Sequence, residues 1–222
     1  MTITEPEAST GGTGFLELPP TSADVRRFYD DSIAKQGFLM NLTRLWAHDP
    51  ALHRRLFDLL GDAVRVGELT VRQRAVLVVA AASAFGDGYC SLAWGRTLSG
   101  LAGDDVAGQV LRGGDVGLDP AERALAGWAR KVARDPNATE PRDVQPLRDA
   151  GYDERQIFAT TVFVALRLAF ATVNDALGAR PDAELLATTP ASVRDAVTYG
   201  RPATDADAQR MNGQQPTHIH HS

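Results

Sequence analysis

Thr70-Val71-Arg72-Gln73-Arg74-Ala75-Val76-Leu77-Val78-Val79-Ala80-Ala81-Ala82-Ser83-Ala84-Phe85, followed by Gly86-Asp87-Gly88-Tyr89-Cys90-Ser91-Leu92-Ala93-Trp94-Gly95, is the stretch that decides the fold. Thr70 and Gln73 form a capping box, in which each side chain serves the other's backbone N–H, and they open a helix over 71–85. That helix is apolar on nearly every side, with small alanines that permit close approach by its neighbours. A helix without a polar face sits at the centre of a domain or between subunits. Gly86 and Gly88 then allow a tight break, and a second helix runs from there to about Ala102.

The same punctuation recurs on both sides. Asp49-Pro50 reads as a cap followed by a first-turn proline and opens a helix to about Val66. Asp119-Pro120-Ala121-Glu122 and Asp153-Glu154-Arg155-Gln156 repeat the capping box, and the helix after Asp153 should stop at Gly178, with Pro181 beyond. Ser22 to about Gln36 and Pro141–Ala150 are shorter helical stretches. No segment alternates apolar and polar residues as a strand would, and no Asn-Gly turn joins apolar runs. The fold class is all-α.

A second run, Ile157–Val173, is also apolar nearly all round. Two such helices exceed what one small core covers, so a homo-oligomer is expected, as dimer, trimer or hexamer. Residues 1–21 and 189–222 lack periodicity and read as loose tails around a helical domain at 22–188. Glycines 113, 114 and 117 read as a linker.

The 222 residues suggest one domain, and the hydrophobic (44%) and charged (23%) shares are those of a soluble globular chain. With 28 acidic against 23 basic side chains the formal charge is −5, which excludes a basic nucleic-acid groove. No basic-then-apolar leader opens the sequence, and both apolar runs fall short of the roughly 20 residues a membrane span requires. A cytoplasmic protein with no membrane or nucleic-acid partner is expected. A single cysteine excludes an internal disulfide and an all-cysteine metal site.

Cys90 falls in the first turn of its helix, where free N–H groups and the helix dipole lower a thiol's pKa, while Asp87 opposes that effect. A lone cysteine is also commonly a small buried hydrophobe. Asp87, Cys90 and Trp94 are spaced i, i+3, i+7, which brings them toward one helical face. Arg167 lies in the middle of the second apolar run. It would pair with an acid such as Asp175 or Glu122, reach a helix edge, or clamp a substrate anion. Arg74 invites the same question at an exposed first turn. His48 and His53, flanking Asp49-Pro50, should face solvent. His218, His220 and His221 could capture a metal adventitiously, but no metal site or cofactor is expected.

Several pieces in order resemble the carboxymuconolactone decarboxylase / alkylhydroperoxidase D (AhpD-like) superfamily across about residues 22–188. They are Gly37-Phe38-Leu39-Met40-Asn41-Leu42 before the Asp49-Pro50 helix, Leu69–Arg74 leading into the Ala/Val-rich helix, Gly88-Tyr89-Cys90, and Phe163, Phe170 and Asn174–Gly178. The resemblance implies an oligomeric all-α bundle. In the peroxidase branch two cysteines stand three apart, a histidine follows the second by four, and a glutamate precedes the first by twelve. Matching Cys90 to the second cysteine places Asp87, Trp94 and Ala75 at the other three positions, so the dithiol mechanism is absent. The resemblance thus implies a degenerate motif on a retained fold.

Three functions follow as expectations. The first is a carboxymuconolactone decarboxylase-like lyase or isomerase acting on a small organic substrate, carboxylated or not, by cofactor-independent acid–base chemistry. Its catalytic residues would be Asp87 and Cys90, and Tyr89, Trp94, Arg167, Asn41 and Phe85 would bind substrate. The second is a one-cysteine, peroxiredoxin-type oxidoreductase working through Cys90. The third is a non-catalytic oligomeric binding protein with its pocket plugged by Trp94.

Overall fold

The structure is a computed structural model that describes residues 14–203. Eleven α-helices occur among these residues, with no strand. They are α1 (Ala23–Gln36), α2 (Asn41–Trp46), α3 (Pro50–Val66), α4 (Val71–Phe85), α5 (Gly88–Ala102), α6 (Asp104–Leu111), α7 (Pro120–Arg134), α8 (Pro141–Asp149), α9 (Glu154–Ala176), α10 (Ala183–Thr188) and α11 (Ala191–Arg194).

The caps form where the residue types require them. Ser22, Asp49, Thr70, Asp119 and Asp153 each accept a hydrogen bond from the first turn of the helix they precede. The boxes Thr70/Gln73, Asp119/Glu122 and Asp153/Gln156 are complete on both sides. Each box satisfies two of the N–H groups that a helix start leaves free.

The centre of the bundle is α4, buried without interruption from Ala75 to Ala82. Helices α5 and α7 pack most heavily on it, with α6 and α9 closing the remaining sides. Its alanines do what small side chains permit: backbones approach closely and α4 needs no polar face. A smaller apolar cluster of Met40, Leu45, Tyr89, Leu92, Ala179 and Leu185 fills the space between α2, α5 and the α10 region.

α9 behaves differently. At 23 residues it is the longest helix, and it is long and apolar enough to cross a membrane by length and composition. Here it packs against α3, α4 and α7. Phe158 (70% exposed), Ala165, Ala169, Thr172 and Val173 remain open to solvent along one side. The expectation that both apolar helices are buried therefore holds for α4 and only for the inner face of α9.

The domain limits move at both ends. Residues 189–203 were expected to be loose, yet Thr189, Val193 and Ala196 are buried, and Val193 packs into the main core. At the other end the Phe15 N–H donates to the Leu177 carbonyl (2.8 Å), and its ring lies under the Arg201 guanidinium. Short apolar contacts like these are too sparse to produce a periodic pattern, which is why the sequence conceals them. The histidines at 218, 220 and 221 lie outside the described residues.

Candidate active site

The site forms at the corner between α4 and α5. Gly86 closes α4 in the left-handed conformation (φ 88°), which a residue without Cβ adopts freely. Asp87 follows as the cap of α5, and its Oδ1 accepts from the Cys90 N–H at 2.9 Å. Gly88 has no side chain for another reason. The backbone of Tyr199–Gly200 passes directly over it, and a Cβ there would stand 2.7 Å from the Tyr199 carbonyl oxygen. The Tyr199 hydroxyl also hydrogen-bonds Ser91 Oγ at 3.0 Å, so the 199–200 segment roofs the corner.

Asp87 is fully buried, and Cys90 nearly so. Opposite them on α9 stands Arg167, only 6% exposed. Its terminal nitrogen lies 3.6 Å from Cys90 Sγ, and its guanidinium lies over two rings, 5.1 Å from the Trp94 centroid and 5.3 Å from that of Phe170. This corrects both expected pairings. Glu122 is bound by Arg72, and among the described residues the Arg167 guanidinium hydrogen-bonds the Cys90 sulfur and no carboxylate, Asp175 included. Facing aromatic rings desolvate a cation at lower cost than an apolar wall does, because the ring faces carry negative charge density.

Asp87, Cys90 and Arg167 line one void of about 10 Å³, together with Val78, Ala82 and half-buried Leu168. That is the size of a single water. Asp87 Oδ2 and Arg167 Nε are both buried without a hydrogen-bond partner among the described residues. A small polar guest in the void could be held by groups of both signs.

The electrostatics reverse one expectation. Burial pushes the Cys90 thiol well above its ordinary range, and the Asp87 charge adds to this, while Arg167 opposes it. Desolvation and a neighbouring carboxylate outweigh the helix start, so Cys90 is a protonated thiol at neutral pH. Burial also raises Asp87, with the Cys90 hydrogen bonds and Arg167 pulling it down. A carboxylate raised in this way is a stronger base than a solvated one. One cation faces two groups that can each become an anion, so the centre favours a single negative charge.

Trp94 does not plug the void; it carries Arg167 on its ring face. Tyr89 and Asn41 fall away from the centre. The Tyr89 hydroxyl donates to Asp182 Oδ2, the Asn41 backbone N–H donates to Asp182 Oδ1 (2.7 Å), and the Asn41 amide donates to the Arg180 carbonyl. One residue further along a helix turns the side chain by about 100°, which sends Tyr89 into the smaller cluster when Cys90 faces α9. Phe85, 40% exposed, lies outside the void. Asp182 went unnoticed in the sequence, yet it organises this second polar knot, and burial raises its carboxyl to about 6.

His53 also departs from expectation. It is held among Phe28, Trp46, Phe57 and Phe170, whereas His48 is exposed. The spacing of His53 and Phe57, i and i+4 on one helix, was the signal available for it. Among the described residues no group of three His, Cys, Asp or Glu side chains gathers in a metal-sized cluster.

This arrangement of helices has solved relatives. A peroxidase-related protein of Ralstonia eutropha JMP134, described as an alkylhydroperoxidase AhpD core, superposes with a TM-score of 0.63 at 24% identity, over 78% of this chain and 94% of its own. A peroxidase-related protein of Silicibacter sp. TM1040 gives 0.69 at 20% identity, over 81% and 97%. The fold is AhpD-like. The debrominase Bmp8 shares it with a TM-score of 0.65 at 16% identity, over 82% of this chain and 97% of its own. That debrominase is also known as a cysteine-to-alanine variant in complex with 2,3,4-tribromopyrrole. No family model and no curated protein matches the sequence.

Proposed function

We propose that this protein is a cofactor-independent enzyme acting on a small organic substrate at the Asp87–Cys90–Arg167 centre. One observation carries the reading. A raised aspartate with a free carboxylate oxygen, the chain's one thiol and a guanidinium that no carboxylate binds among the described residues converge on a single void. Structural packing gains nothing from leaving one polar atom of each charged group, Asp87 Oδ2 and Arg167 Nε, unpaired beside the other, because each buried unpaired atom costs free energy. In this reading Asp87 moves the proton, Arg167 steadies negative charge on the substrate, and Cys90 polarises or packs. The void holds about one water, so a larger substrate enters only as the side chains around it move. The protein works as a homo-oligomer.

A second reading has Cys90 as the reacting group. The debrominase of the same fold, obtained with its ligand when a cysteine was replaced by alanine, favours it. Cys90 would then need Asp87 as the base that takes its proton on substrate entry, because the resting thiol is protonated.

Turnover of a panel of small organic acids and of 2,3,4-tribromopyrrole, preceded by a thermal-shift screen, separates the two. For acid–base chemistry, Asp87→Asn lowers the rate by about 10²–10⁴-fold with folding retained, and Cys90→Ala costs less. If Cys90→Ala abolishes turnover and costs more than Asp87→Asn, the acid–base reading fails and the thiol reading, which needs both residues, replaces it.

A further inference from the structure

The roof over the α4–α5 corner is seated closely and tied by few bonds. Gly88 and Gly200 cross backbone to backbone. A Cβ on Gly200 would stand 2.5 Å from the Gly88 nitrogen, 2.8 Å from its Cα and 3.2 Å from the Gly86 carbonyl oxygen. A Cβ on Gly88 would meet the Tyr199 carbonyl oxygen at 2.7 Å. Gly200 also has a φ of 76°, which strains any residue with a side chain. The crossing therefore excludes a side chain from both partners.

Among the described residues, the backbone of 198–203 makes no hydrogen bond to other backbone. Its ties are side-chain ties. The Tyr199 hydroxyl donates to Ser91 Oγ at 3.0 Å, Arg201 donates to the Asp175 carbonyl at 3.2 Å, and the Arg201 guanidinium lies 4.9 Å from the Phe15 ring centroid. Ties of this kind are each worth about a factor of ten or less in an equilibrium. Upstream, Val193 and Ala196 are buried, so the lightly held part begins after them. What it rests on is the chain on either side of Asp87. Gly86 and Gly88 flank that residue, and its side chain forms one wall of the void. While Gly200 sits on both glycines the wall is fixed. With the roof lifted, two neighbours without Cβ leave Asp87 free to turn.

We propose that residues 198–203 are a gate on the Asp87–Cys90–Arg167 centre: they lift off the 86–88 corner as one strap, and the void opens to ligand at its Asp87 wall. Tyr199 is the latch, and the Gly88–Gly200 crossing is the seat. The gate rests on the reading of that centre as a site, and it concerns entry rather than chemistry.

The chain's one thiol reports the opening. The full chain is incubated at pH 8 with methyl methanethiosulfonate, the mass gain on Cys90 is timed, and the global stability of each variant is measured by urea unfolding. Tyr199→Phe removes the latch and should speed labelling about two- to tenfold. Gly200→Ala and Gly88→Ala unseat the strap and should each speed it at least about tenfold, by more than any loss of global stability accounts for. The double variant should be no faster than the faster single one, because a strap already lifted cannot be lifted again. Rates within twofold of the unaltered chain in all three single variants would overturn the proposal. So would gains that multiply in the double variant, gains that only match the loss of global stability, or labelling that speeds in Leu168→Ala alone, which would put the entrance on α9. No turnover is read, so failure of the gate is distinct from failure of the chemistry assigned to the centre.

Discussion

At the scale of single residues, opposing titrations meet in this molecule. His53 has a folded-state pKa of about 4 against the ordinary value of 6.5, so the unfolded chain holds more protons between those limits. Its contribution to stability is complete above about pH 6.5 and is lost as pH falls through 4. For this half-buried ring it is on the order of 2 kcal/mol. Asp175 and Asp182 act in the opposite sense. Burial raises both to about 6, so their contribution is present below the ordinary carboxylate range and lost as pH rises through 6. His53→Phe keeps a ring among Phe28, Trp46 and Phe57 and removes the opposing term. Its urea midpoint should fall less than that of the unaltered chain between pH 7 and pH 5, or rise. Identical shifts in both proteins would show that His53 does not titrate in this window. Residue by residue, the site was only partly legible in the sequence. Asp87 and Cys90 were legible because a cap and its third residue are fixed by local geometry, and Arg167 because a charge in an apolar run must be accommodated. Tyr89, Asn41 and Asp182 were not, because their meeting depends on a contact spanning 141 residues of sequence.

At the scale of elements, the helices with a complete cap and a long apolar run were legible almost to the residue. α3, α4, α7 and α9 begin where Asp49, Thr70, Asp119 and Asp153 said they would. The shorter α2, α6, α10 and α11 were not separately legible, because four to eight residues give too few turns for periodicity. Their order comes from tertiary contact. The segment after α10 shows this best: Val193 fills a pocket against Gly95 of α5, and Tyr199–Gly200 lies on Gly88. Two truncations measure its worth. A chain ending at Thr188 should lose several kcal/mol relative to one ending at Ala203, since it uncovers buried Val193 and Ala196 contacts and the α5 corner. Equal melting temperatures for the two would mean that 189–203 adds nothing to the folded state.

At the scale of the whole molecule, the inference from two all-round apolar helices divides. α4 is covered within one chain, so it says nothing about assembly. α9 keeps an open apolar side, and that side is what the expected oligomer would cover. Sedimentation at micromolar concentration should find a homo-oligomer, and Phe158→Glu with Ala165→Glu should yield monomers that keep the helical circular-dichroism spectrum. A monomeric unaltered chain would show that the stripe stays wet. α9 is also the element on which all three tryptophans of the chain converge. Trp128 Nε1 donates to Thr161 Oγ1, Trp94 lies under Arg167, and Trp46 Nε1 donates to Asn174 Oδ1. The three contacts fall near its beginning, its middle and its end. Three chains, each retaining one indole, would therefore act as an optical ruler along α9. Ultraviolet emission alone could then tell whether the helix frays from an end, loosens around Arg167 as a guest enters, or comes apart all at once.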